Sequence, residues 1–281
     1  MKVSLCTISF RHHLLSIRAI ARIAQSHGFD GIELWGIHAR NLGPGDHAEW
    51  LAAYGLHVPM LSDYLPLDAP SERMTERMAE LCRLARNWHA LRLRTFAGTK
   101  ASAATSAEER KHIVSRLRIA AVYLADHGLR LLVETHPGTL ADTTDSLLRL
   151  LDEVDHPALR INFDTLHVWE GGDNPLVAHA RLKRHIDYYH LKNVRSQSDL
   201  PVFEPSNVYS PAGQREGMTG LFEGVLDYGS FLKTLDSNAE VSLEWFGDSC
   251  FSILPTDLSK LRTRMRALSK MNVSRPSSPP G

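Results

Sequence analysis

Short apolar, β-branched runs alternate along this chain with longer stretches in which apolar residues recur every three or four positions. The first run, residues 3 to 9, precedes a helical stretch with Ile17, Ile20, Ile23 and Ala24 on one face, which Gly28 stops. DGIEL predicts a second strand. A weaker helix ends at Gly55 before HVPMLSD, and a stronger one over about residues 70 to 88 carries Met74, Met78, Leu81, Leu84 and Ala85 before LRLRTF. Ile113, Leu117, Ala120, Ala121 and Leu124 mark a helix stopped at Gly128 before LRLLVE, and Thr143 is placed to cap a helix through Leu147, Leu148 and Leu151. LRINFD, a helix near residues 175 to 184, DYYHLK, an irregular stretch, a helix near residues 228 to 235, EVSLEWF and a last helix through Leu258, Leu261, Met265 and Leu268 complete the series.

Three junctions repeat one device, a helix-stopping glycine followed at once by a strand: HGFDGIEL, YGLHVPM and HGLRLLVE. Eight such βα units in a chain of about this length predict an α/β protein, a closed (β/α)8 TIM barrel. An open doubly wound sheet would want a glycine-rich phosphate loop after the first strand, where the chain has CTISFRHH. The expected layout is one barrel domain over residues 1–271. Within it, residues 196–226, rich in Pro, Gly, Ser and Asn, are too long for a connector and are expected to form a lid over the C-terminal ends of the strands. Residues 272–281 are expected to be a disordered Ser/Pro tail.

Composition narrows the function class. With 43% hydrophobic and 23% charged residues the 281-residue chain is globular. Thirty-two Lys and Arg against 32 Asp and Glu leave no net field to draw nucleic acid or an anionic membrane. The three cysteines, Cys6, Cys82 and Cys250, are odd in number and far apart, against a disulfide framework and for a reducing cytoplasm. No apolar run approaches the roughly 18 residues that span a bilayer, and MKVSLCTISFRHH puts charge where a signal peptide keeps its apolar stretch. Of the 15 histidines, several, such as His27, His127 and His156, fall at helix ends or loops and read as solvated.

Charged or imidazole residues close strand after strand: Glu33, Asp63, Arg94, Glu134 with His136, Asp164, His190 with Lys192, and Glu244. A lone strand-end carboxylate most often caps the next helix; several at one barrel mouth argue for chemistry. Glu134, Asp164, His190 and Glu244 close neighbouring strands, and three carboxylates without a counter-ion would repel, whereas one divalent cation would use their oxygens. Hard oxygen donors with one imidazole suit Mn²⁺ or Mg²⁺, with Co²⁺ or Zn²⁺ as competitors. His136, two residues past Glu134, returns to the same side and is placed as a general base. Lys192 and Arg94 can hold a substrate oxygen or carboxylate, and His167, Tyr64 and Tyr209 are further substrate contacts. A multi-zinc endonuclease would need more histidines and a basic face, and neither is found.

The segments SLCTISFRH (4–12), GFDGIELWGIHARNL (28–42), MLSDYL (60–65), RTFAGTKAS (94–102), LLVETHPGTLADT (131–143), EVDHPALRINFDTLHVWEGG (153–172), YYHLKN (188–193), VFEPSNVY (202–209), LFEG (221–224) and SLEWFG (242–247) are more particular than barrel architecture requires. With them the chain resembles the xylose isomerase-like barrel superfamily and, within it, the single-domain 3-dehydroshikimate dehydratases that form protocatechuate (3,4-dihydroxybenzoate). Pro201 and Ser206 are small departures in the lid string PVFEPSNVY. The resemblance implies Glu134, Asp164, His190 and Glu244 as metal ligands, His136 as the base, and Arg94, Lys192, His167 and Tyr64 at the substrate. It also implies a small-molecule substrate, with a product suited to aromatic catabolism or a catecholate siderophore.

The chemistry fits those groups. Aromatising this ketone requires loss of the C4 proton and of the C5 hydroxyl, so negative charge develops at the C3 oxygen, where a Lewis acid helps. The alternative reading, a sugar or sugar-acid isomerase or epimerase, uses the same metal without needing a carboxylate-binding cation such as Arg94. A binding protein on a degenerate barrel is disfavoured by four competent ligand positions. One barrel face is left to bury a second copy as a homodimer.

Overall fold

Eight parallel strands close on themselves. In the computed structural model, which describes residues 1–43 and 45–273, they are β1 (Lys2–Cys6), β2 (Gly31–Trp35), β3 (Leu61–Ser62), β4 (Arg92–Thr95), β5 (Arg130–Glu134), β6 (Leu159–Asp164), β7 (Ile186–Leu191) and, after a small antiparallel pair β8 (Asn193–Val194) and β9 (Met218–Thr219), β10 (Glu240–Leu243). The order around the ring follows the chain, and β1 closes it by pairing with both β2 and β10. The helices are α1 (Ile17–His27), α2 (Gly36–Ala39), α3 (Ala48–Ala52), α4 (Ser71–Asn87), α5 (Ala107–Asp126), α6 (Thr144–Val154), α7 (Thr165–Glu170), α8 (Pro175–Leu182), α9 (Pro205–Val208), α10 (Tyr228–Phe231) and α11 (Cys250–Val273).

The apolar stripes read from the sequence face the strands: Ile17, Ile20 and Ala24 on α1, Met74, Met78, Leu81 and Ala85 on α4, and Ile113, Leu117, Ala120, Ala121 and Leu124 on α5 are buried. Gly28, Gly55 and Gly128 share a left-handed backbone, with φ of +79°, +70° and +75°, which a side chain would oppose. Thr143 Oγ1 accepts from Ser146 N at 3.2 Å and caps α6. Inside the barrel Met60, Leu132 and Tyr188 form a separate apolar plug, with the Tyr188 hydroxyl 2.7 Å from Ser242 Oγ.

Several elements differ from expectation. The run expected over residues 56–63 pairs as only two residues, Leu61–Ser62, because Pro59 interrupts it and offers no N–H. The first strand stops at Cys6, and Thr7–Phe10 turns as a 3-10 helix. The helix near residues 228–235 breaks into α10 and a 3-10 turn, Leu232–Thr234. The stretch 196–226 holds a 3-10 helix, Gln197–Phe203, then α9 and β9. The expected tail starts inside α11, whose last residue is Val273; residues 274–281 lie outside the described residues. None of the described helices is long and apolar enough to cross a membrane.

Candidate metal centre and active site

The register of the barrel assembles the floor of the site. Between β6 and β7 the pairing runs Ile161 to Ile186 and then Asn162 to Tyr188, skipping Asp187. That one-residue slip sets Asp164 opposite His190; unbroken pairing would have offered Tyr189 instead. Glu134 ends β5 opposite Asn162, and Glu244 follows β10.

Ligand atoms of Glu134, Asp164, His190 and Glu244 all lie within 4.8 Å of one another, and all four residues are buried. His190 Nδ1 is 3.4 Å from Glu134 Oε1, 3.5 Å from Glu244 Oε1 and 3.7 Å from Asp164 Oδ2. Asp164 also fulfils the ordinary strand-end role: its Oδ1 accepts from the backbone N–H groups of Leu166 and His167 at 3.0 and 3.1 Å, capping α7. Its Oδ2 is left for the cluster. Lys192 Nζ reaches Asp164 Oδ2 at 2.6 Å and Glu244 Oε2 at 2.8 Å, and Arg94 Nε approaches Glu134 Oε2 at 2.9 Å.

These ion pairs do not satisfy the site. Arg94 Nε and Nη1, Glu134 Oε2 and Asp164 Oδ2 are buried without an aligned hydrogen bond, so charge is close but directional partners are missing. Buried oxygens left open around one imidazole nitrogen fit a divalent cation.

The charges shift one another. Burial alone would raise the Glu134 carboxyl, yet Arg94 and then His190 hold it well below the carboxylate range. Asp164 is held down against burial by Lys192 and then His167. Burial opposes the charge on Lys192, but Asp164 and Glu244 push its pKa above the ordinary lysine value. His190 is raised, against burial, by Glu244, Glu33 and Glu134.

Above this floor a pocket opens, lined by Tyr64, Arg94, Phe96, His136, His167, Lys192, Phe203, Tyr209 and Phe246 among others. His136 sits between Phe96 and His167, each ring centroid 4.4 Å away and tilted by 43° and 50°. Its Nδ1 lies 2.6 Å from the Pro137 carbonyl oxygen, which can only accept. The proton therefore sits on Nδ1 and the Nε2 lone pair is free. Burial first, then His167, depresses its pKa to about 4. His167 Nδ1 is 2.7 Å from Glu170 Oε2. The Tyr64 and Tyr209 hydroxyls meet at 2.9 Å, joining the loop after β3 to the segment after α9. Arg11 ties the same segment down, with Nε 2.7 Å from the Val208 carbonyl and Nη2 3.1 Å from that of Phe246.

The ten side chains singled out in the sequence thus meet at one mouth, Asp164 and His190 in its floor and the rest on its wall. Asp63 does not join them: Arg77 and Arg40 hold its two oxygens at 2.6 and 2.7 Å, beside the site. Pro201 and Ser206, the departures in the lid string, are exposed and line no part of the pocket. The aromatic wall of Phe96, Phe203 and Phe246 was not anticipated, nor was the partnership of Glu170 with His167. Glu170 stands three residues past His167, one helical turn away. Glu33, one of the strand-end charges, lies beneath the cluster rather than on the pocket wall, with its carboxylate against His190 Nε2.

The chain belongs to the xylose isomerase-like TIM barrel family, whose model matches residues 21–271. It is 44% identical over 273 residues to the 3-dehydroshikimate dehydratase of Bacillus anthracis, covering 94% of this chain and 98% of that protein. The crystal structure of the probable 3-DHS dehydratase AsbF, involved in petrobactin synthesis, from Bacillus anthracis matches with a TM-score of 0.90 and 44% identity over 93% of this chain and 99% of that one. An inosose dehydratase of Clostridium beijerinckii is 29% identical over 132 residues, 47% of this chain and 44% of that protein.

Proposed function

We propose that this chain is a 3-dehydroshikimate dehydratase, a hydro-lyase that forms protocatechuate. The observation that carries the mechanism is the free Nε2 of a neutral His136, opening into a pocket whose floor is the buried carboxylate and imidazole cluster. The likeness to the Bacillus anthracis dehydratase over nearly the whole of both chains supports the substrate. Glu134, Asp164, His190 and Glu244 would hold one divalent cation, Mn²⁺ or Mg²⁺ by their hard donors and Co²⁺ or Zn²⁺ in competition, supplying Lewis acidity at the ketone oxygen.

The chain's own groups do the rest. His136 Nε2 takes the C4 proton, and the electron pair of that C–H bond, passing through the enolate, expels the C5 hydroxyl, which leaves as water once protonated. Loss of a C6 proton and protonation of the C3 oxygen then complete the aromatic ring, so the balance is substrate to product plus one water. Lys192 and Arg94 bring fixed positive charge to the developing oxyanion and the substrate carboxylate. Phe96, Phe203 and Phe246 give a six-membered carbocycle, which flattens as it becomes aromatic, apolar walls, a shape that favours it over an open-chain sugar. His167, Tyr64 and Tyr209 complete the contacts, the last brought by the segment 196–226, which we read as a lid.

The free buried cysteines Cys6, Cys82 and Cys250 support a reducing, cytoplasmic setting. The balanced charge supports a small molecule rather than nucleic acid as partner, and the outer helices offer a surface for a homodimer. Purified protein given 3-dehydroshikimate should produce the ultraviolet absorbance of protocatechuate, and a ketopentose given in parallel should be recovered unchanged. Sugar conversion with no aromatic product would replace this reading by the isomerase one.

A further inference from the structure

Glu33, in the middle of β2, is fully buried and points into the barrel. Its two carboxylate oxygens lie 3.0 and 2.9 Å from His190 Nε2, and Ser62 Oγ donates to Oε1. A carboxylate accepts only, so Nε2 must carry a proton. A neutral imidazole has one N–H and one lone pair, and this partner therefore puts the lone pair on Nδ1, the nitrogen that faces Glu134, Asp164 and Glu244. The remaining neighbour makes no choice: Asn162 Nδ2 is 3.2 Å from one ring nitrogen and 3.3 Å from the other.

Charge points the same way. Glu33, Glu134, Asp164 and Glu244 bring four negative charges to this part of the barrel, and Arg94 and Lys192 bring two positive ones. With His190 neutral, two negative charges are left, which one divalent cation balances. Without Glu33 the loaded centre would carry a net positive charge in a buried place.

We propose that Glu33 is a positioning residue that fixes His190 in its Nε2–H form and so presents Nδ1 to a divalent cation. The inference rests on the metal reading given above. Metal affinity without substrate tests it: Mn²⁺ binding to the full chain, followed by electron paramagnetic resonance under chelator competition, should be about 10–100-fold weaker in Glu33→Gln than in wild type. A Glu33→Gln protein that binds Mn²⁺ as tightly as wild type overturns the inference alone, whereas a wild type that binds neither Mn²⁺ nor Mg²⁺ overturns the metal reading with it. Should the variant fail to fold, wild type carries the test: ¹⁵N-histidine spectra of the Mg²⁺-loaded protein should show the His190 proton on Nε2. A proton on Nδ1 would end the proposal.

Discussion

The imidazoles of His136 and His167 lie against each other, ring centroids 4.4 Å apart, yet their Nδ1 atoms meet different partners: a backbone carbonyl for His136 and the Glu170 carboxylate for His167. The carbonyl and the carboxylate each accept from the Nδ1 they face, so both rings are oriented with Nε2 turned away from that partner. Replacing His136 by Ala should lower kcat by about 10²–10⁴-fold and leave Mn²⁺ binding as in wild type. Turnover near wild type would remove His136 as the base.

Glu170→Gln keeps the side chain's size and removes its charge. His167 would keep a neighbour for Nδ1 but lose a fixed carboxylate partner, and kcat/KM for 3-dehydroshikimate should fall about tenfold or more, by analogy with oriented histidines elsewhere. Steady-state kinetics identical to wild type would show that the 2.7 Å contact does nothing for the reaction.

Arg92 and Arg94 stand two residues apart on β4 and point into the same barrel from its two ends. Arg92 pairs with Asp187 at 3.0 Å and Glu240 at 2.7 Å, away from the pocket; Arg94 lines the pocket. Arg92→Met leaves Asp187 with Arg130 alone and Glu240 with His57 and Lys2, and should cost about 2 kcal/mol of stability, read by chemical denaturation, with the folded enzyme still active. Arg94→Met should instead lower kcat/KM. Equal activity losses in the two variants would contradict this division between the ends.

His38 is buried against Trp35, and burial pushes its pKa down to about 4. The unfolded chain takes up the proton near pH 6.5 and the folded chain only near 4, so stability is full above 6.5 and falls as the pH drops between those values. The group's share is at most about 3 kcal/mol. The drop in Tm from pH 7 to 4.5 should therefore be smaller in His38→Leu than in wild type. An unchanged drop would place the acid sensitivity elsewhere.

The alternation of elements was legible because most barrel strands are short runs with apolar, β-branched residues and several helices are followed by a left-handed glycine, both properties of local sequence. The ligand set was legible for a related reason: Glu134, Asp164, His190 and Glu244 interrupt apolar runs at matching places. What could not be read is pairing across the barrel. Glu33 and His190 are 157 residues apart, and their contact depends on closure of the ring. The slip at Asp187 that aligns Asp164 with His190 leaves no periodic mark in DYYHLK. Asp63 matches the others in strand position, but Arg40, the residue after α2, and Arg77, from α4, hold it aside.

The most direct test of the account is product formation by chelator-stripped protein given 3-dehydroshikimate, with and without Mn²⁺ or Mg²⁺, followed by the absorbance of protocatechuate. The account predicts little product from the stripped protein and restored turnover on adding the ion. Full activity after verified removal of the metal would contradict it, as would a metal-loaded protein that leaves 3-dehydroshikimate untouched.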